Sequence, residues 1–170
     1  MLNKRKIIFI VFLISMIIGF CETEITFAYS NETLSVEENV NEYAANEEEN
    51  EIFNLINTNR TNLGMDSLVL DEKLCRMAEM KAEDMRDKRY FSHYSPTYGF
   101  AYDMLKGAGY QYKAVGENIA KGHRSPQIVM SAWMKSPGHK ANILGNYTKV
   151  GVGFVTDEKG KTYWVQIFAK

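Results

Sequence analysis

Apolar positions recur with two different periods along this chain, and the change of period divides it. Ile52, Leu55 and Ile56, with Asn59, share one face at helical spacing, and Gly64 stops that helix. Asp71 is a suitable N-cap for a second helix with Leu74, Ala78, Ala82 and Met85 inward, ending near Arg89. Ser95-Pro96 and Gly99 mark a loop over residues 91–99, and a short helix follows over 101–106, stopped by Gly107 and Gly109. Ser125-Pro126 starts another helix, whose predicted inner stripe is Ile128, Val129, Ala132 and Trp133. Ser136-Pro137 repeats that start signal, with Ile143 and Leu144 as anchors. The period then changes to two. Val150, Val152 and Phe154 alternate with Gly151, Gly153 and Val155; after the turn at residues 157–160, Tyr163, Val165 and Ile167 alternate with Trp164, Gln166 and Phe168. Residues 116–120 read as a short extended or turn segment. Helices first and a hairpin last predict an α+β domain with helices covering a small antiparallel sheet.

The first 28 residues follow another logic. Lys4, Arg5 and Lys6 precede an apolar run from Ile7 to Phe20, and Thr26-Phe27-Ala28 offers small residues for cleavage after Ala28. Residues 1–28 therefore read as a signal peptide, and the protein as secreted, with cell-surface association the alternative. An uncleaved segment would retain the chain at a membrane. Phe20 stands where lipid attachment at Cys21 would need a small residue.

Charge separates the remainder. Residues 29–51 hold eight Glu and no Lys or Arg, whereas residues 52–170 hold 17 basic and 11 acidic side chains. Too few large apolar groups offset the ordering entropy of the acidic stretch, so 29–50 is expected to be a disordered linker and 51–170 a single domain. At low salt the linker could fold back over the basic domain and compete with anionic ligands. Cleavage after Ala28 would leave Cys75 as the one cysteine, so no disulfide framework is available; its place on an apolar helical stripe makes it a small buried hydrophobe.

Three histidines carry the candidate chemistry: His93, His123 and His139. No local ligand spacing joins them. His123, between Gly122 and Arg124, reads as surface. Ser92 beside His93 lacks a nucleophile elbow, and adjacent residues rarely face each other. Tyr90, Phe91, Tyr94, Tyr98, Phe100 and Tyr102 crowd the segment around His93, as packing or as an apolar wall for a ligand.

The words around these residues occur in one order: Asn57-x-x-Arg60, Phe91-Ser92-His93, Gly116-Glu117-Asn118-Ile119-Ala120, Ala132-Trp133-Met134, Ser136-Pro137-Gly138-His139-x-x-Asn142-Ile143-Leu144 and Val150-Gly151-Val152-Gly153. Over residues 50–170 the chain resembles the CAP superfamily, also called SCP/PR-1-like, in its compact bacterial branch. The resemblance implies a three-layer α-β-α sandwich with an open cleft carrying two histidines and two acids. His93 and His139 match the histidines, and Glu117 matches the acid of the Gly-Glu-Asn word. Asp103 stands for the second acid, where many members carry Glu; it could equally cap or solvate its short helix. Asn118 and Asn142 look like supporting or turn residues.

Two neutral imidazoles and two carboxylates can bind Zn²⁺ with a water position open, or close into a hydrogen-bond network without metal. Protonation of the histidines below about pH 6 would weaken metal binding. Three functions follow: a metal-competent extracellular binding module for lipid or anionic cell-surface polymers; a zinc-dependent hydrolase, peptidase-like, with Glu117 as base; or a purely structural tetrad. No nucleic-acid partner is expected.

Overall fold

The computed structural model describes residues 44–170. The signal peptide expected over 1–28 and the first part of the expected linker lie outside the described residues. Nine elements follow in order: α1 (Glu47–Thr61), β1 (Val69–Leu70), α2 (Glu72–Asp87), α3 (Ala101–Gly107), β2 (Val115–Lys121), α4 (Pro126–Lys135), α5 (Pro137–Ile143), β3 (Lys149–Thr156) and β4 (Thr162–Ala169).

The strands form one sheet in the order β1-β3-β4-β2. The predicted hairpin pairs Lys149 with Ala169 through Thr156 with Thr162. β2 adds antiparallel to β4, with Glu117 opposite Ile167. β1 adds a two-residue parallel edge on β3. β4 is thus interior, and all eight of its residues are buried. Its alternating side chains feed two separate cores. Val165 and Ile167 pack with Leu74, Ala78, Ala82 and Met85 of α2 and with Met104 and Leu105 of α3. Trp164 and Phe168 pack with Ile52 and Ile56 of α1, Val129 and Trp133 of α4, and Ile143 of α5. Helices on both faces of one sheet make the three-layer α-β-α sandwich expected.

α2 lies unusually close to the sheet. A Cβ on Gly151 would stand 2.1 Å from the Leu74 carbonyl carbon, and one on Gly153 2.3 Å from that of Ala78. The two glycines of Val-Gly-Val-Gly are therefore the floor on which the helix backbone rests.

α1 begins at Glu47, inside the acidic run of residues 29–51, and two other local expectations change. Asn46 and Glu49 cap each other reciprocally, and the Glu49 carboxylate, 1% exposed, also accepts the Phe154 amide at 3.0 Å. On α1 the inward partner after Ile56 is Arg60, not Asn59: the Arg60 guanidinium donates to the Asp66, Ile143 and Gly145 carbonyls, tying α1 to the end of α5. On α4 the buried set is Val129, Met130 and Trp133, while Ile128 is 52% exposed. Ser125 caps this helix by accepting the Ile128 amide, and the resulting phase turns Ile128 outward. Cys75 is buried as expected, and burial pushes its thiol up to about 12, which leaves it inert.

Candidate functional site

β2 is an edge strand, and the candidate site is built along it. Gly116 precedes Glu117 because a side chain there would meet the Tyr147 hydroxyl at 2.5 Å and Asn142 Oδ1 at 2.9 Å. Glu117 faces the α2 side of the sheet, where its Oε1 lies 2.6 Å from His93 Nδ1. The Glu117 side chain is 6% exposed and His93 is 51% exposed. In that contact Nδ1 is the ring nitrogen engaged by the carboxylate. The second carboxylate oxygen of Glu117 is buried without a hydrogen-bond partner.

His139 arrives from the opposite layer, in the first turn of α5. Burial lowers its pKa, and the nearby charge of His93 lowers it further. Two asparagines hold these backbones in place. Asn118 donates to the His139 carbonyl at 3.0 Å and to Gln166, while Asn142 donates to the Glu117 carbonyl at 3.0 Å and to Asn118 Oδ1. Their expected supporting role takes this concrete form. His123 contributes only its carbonyl, which accepts from Thr162 and Trp164.

Asp103 has a different position. Its Oδ2 accepts the Phe100 amide at 2.9 Å, closing the first turn of α3, which is the capping alternative. Of the four residues expected to hold zinc, His93 and Glu117 touch, His139 stands within electrostatic reach of His93, and Asp103 is engaged at its helix end. Among the described residues no three His, Cys, Asp or Glu side chains form a group able to hold a metal ion. The expected four-residue zinc set is therefore not gathered at one point in this structure, with Asp103 held at its own helix end.

The support beneath His93 escaped the sequence reading. Lys81, 0% exposed, donates from Nζ to the His93 carbonyl at 2.9 Å and to the Tyr90 hydroxyl at 3.3 Å. Asp84, 7% exposed, accepts from the hydroxyls of Tyr90, Ser95 and Thr97 and pairs with Lys88. The two residues anchor the loop that presents His93. A signal was available: Lys81 falls on the same inward helical stripe as Leu74, Ala78 and Met85, where a charge requires partners.

Burial pushes the Asp84 carboxyl up, but hydrogen bonds from Thr97, Tyr90, Lys88 and Ser95 outweigh it and hold the group well below the ordinary carboxylate range. A carboxyl depressed by folding adds stability that is complete above its unfolded value, about pH 4, and is lost as pH falls through the folded value. Melting temperature is therefore expected to fall steeply below pH 4, and less steeply in Asp84→Asn. Equal acid slopes for the two proteins would contradict this role.

The comparisons with known proteins follow the same residues. The profile of the Cysteine-rich secretory protein family, CAP, matches residues 53–168. The chain belongs to the CAP family. An uncharacterized Bacillus subtilis protein, YkwD, is 45% identical over 140 residues, covering 82% of this chain and 51% of its own. The uncharacterized membrane protein YlbC of the same organism is 34% identical over 123 residues, covering 72% of this chain and 34% of its own. The chain thus spans about half or less of the curated relatives it matches. The crystal structure of an extracellular SCP-domain protein from Bacillus anthracis superposes with a TM-score of 0.67 at 33% identity, covering 72% of this chain and 40% of that one. An outer surface protein of Borrelia burgdorferi shares the fold, with a TM-score of 0.69 at 20% identity over 75% of this chain and 96% of that one. Within this CAP domain, His93, Glu117 and His139 all lie in the words that carried the resemblance. No helix among the described residues is long and apolar enough to cross a membrane.

Proposed function

We propose that this CAP domain works outside the cytoplasm as a binding module, taking a ligand with a polar head and an apolar body, such as a lipid, at the His93–Glu117–His139 cleft. The carrying observation is the His93–Glu117 pair. A half-exposed imidazole is held by a buried carboxylate that keeps one oxygen unpartnered, which is a polar anchor prepared for a ligand. Beside it, Phe91, Tyr94, Phe100 and Tyr102 are all exposed, with Phe100 stacked on Tyr102 at 5.4 Å and edge-on to Tyr94 at 5.3 Å. Such rings are poor solvent-facing groups unless something covers them. The expected signal segment and the extracellular neighbour of the same fold support the location.

A fluorescent fatty acid titrated into the full chain provides the test. Glu117→Gln keeps the shape but removes the charge that orients His93, and is expected to weaken binding about tenfold, or 1.4 kcal/mol. Undiminished affinity in that variant removes the cleft from the binding site. Hydrolysis of a peptide panel that disappears in Glu117→Gln would favour the hydrolase reading instead.

A further inference from the structure

We infer a second ligand site at the Lys121 end of β2: a basic cleft for an anionic polymer bearing phosphate groups. It shares no residue with the His93 cleft. Its volume is about 810 Å³, and its cations come from three elements, namely Arg89 after α2, Lys121 on β2, and Lys159 and Lys161 around the β3–β4 turn. A cleft of this size, supplied with charge from three sides, suits several linked anions better than one small ion.

The carboxylates lining it are largely committed. Asp87 pairs with Arg86 at 2.6 Å, cancelling both charges. Asp157 accepts the backbone amides of Lys159 at 2.9 Å and Lys161 at 2.8 Å, so it shapes the turn that displays these lysines. Against Asp157 and Glu158 stand four cations. Lys121 is held over the Tyr163 ring at 4.9 Å, which fixes its ammonium at the cleft wall.

Arg89 gives the strongest reason to read this as a site. It occupies the residue after the α2 C-cap with φ of 57°, the left-handed region. The Arg89 amide donates to the Arg86 carbonyl, and the Tyr90 amide to that of Met85. Those two bonds make a Schellman motif, where glycine is the unstrained choice. Here a bulky cation stands in glycine's place at the lip of a basic cleft. The motif requires the left-handed backbone but no side chain at that position, so the strain an arginine adds there points to a use for its side chain. A bilayer surface fits less well, because among the described residues none of the exposed large apolar side chains lines this cleft.

The experiment titrates the full chain with a soluble polyglycerol phosphate at two salt concentrations. Arg89→Gly should weaken binding roughly fivefold or more while melting temperature stays level or rises, since the strain is relieved. The double variant K121A/K161A should weaken binding further and flatten its salt dependence. Lys73→Ala, on the exposed face of α2, and Glu117→Gln, in the other cleft, should leave polymer affinity unchanged. Unaltered affinity in Arg89→Gly overturns the site, as does an equal loss in Lys73→Ala, which would mean general charge attraction. Tighter binding to phosphatidylglycerol vesicles than to the polymer overturns the assigned partner. Loss of polymer binding in Glu117→Gln overturns the separation of the two clefts, whereas failure of fatty-acid binding alone leaves this inference intact.

Discussion

Gly151→Ala is expected to destabilise the domain by about 3 kcal/mol, near the upper end of overpacking costs in well-packed interiors. The added methyl would lie 2.1 Å from backbone atoms of α2, which cannot rotate away as a side chain can. Relief requires lifting α2 off β3. That shift opens the core formed by Leu74, Ala78 and Ala82 on one side and Val165 and Ile167 on the other. Gly153→Ala meets the next turn of the same helix at 2.3 Å, so the two effects are coupled and not additive. Urea denaturation provides the measurement. A loss below about 1 kcal/mol in Gly151→Ala would show that the helix can ride higher at little cost.

Lys81→Met should cost about 3–5 kcal/mol, the range for removing one partner of a buried charged network. Burial lowers the Lys81 pKa, while the charges of Glu117 and Asp84 raise it in opposition. Methionine keeps most of the apolar stem and removes the charged end. It leaves the His93 carbonyl without its donor at 2.9 Å and the buried Glu117 without a compensating cation. Two readouts follow: a lower urea midpoint, and weaker fatty-acid binding in folded protein, because the loop that presents His93 is released. Fatty-acid affinity equal to the parent in folded Lys81→Met would show that the loop is positioned by other contacts.

Local signals along the chain were sufficient for much of this. Asp71 and Ser125 accept the amides of Leu74 and Ile128, because an N-cap needs only a short polar side chain and the three residues after it. The period-two run became the β3–β4 hairpin for an equally local reason. Two faces of alternating side chains can be buried at once, and β4 buries both. The words Phe-Ser-His and Gly-Glu-Asn lie 24 residues apart in sequence, and the structure brings their His93 and Glu117 to 2.6 Å.

Asp103 shows where one-dimensional reading stops. A carboxylate in the first turn of a short helix can serve a distant cleft or its own amide ends, and Asp103 Oδ2 accepts the Phe100 amide. Lys81 and Asp84 show the same limit from the other side. On the helix they are two charges among many, and their value comes from a loop that returns over them to supply Tyr90, His93, Ser95 and Thr97. Glu49 belongs with them: in sequence it is one of eight glutamates in the acidic stretch 29–51, in space it holds the Phe154 amide of β3.

The sequence by itself therefore determined most element types, the α+β class and the family, because caps, periods and short words act over a few residues. Only the tertiary structure decided which charges are buried, which acid faces His93 and how closely α2 lies on Gly151 and Gly153. Those outcomes depend on atoms from segments far apart in the chain, and a polar group's free energy is set by whether such a partner reaches it.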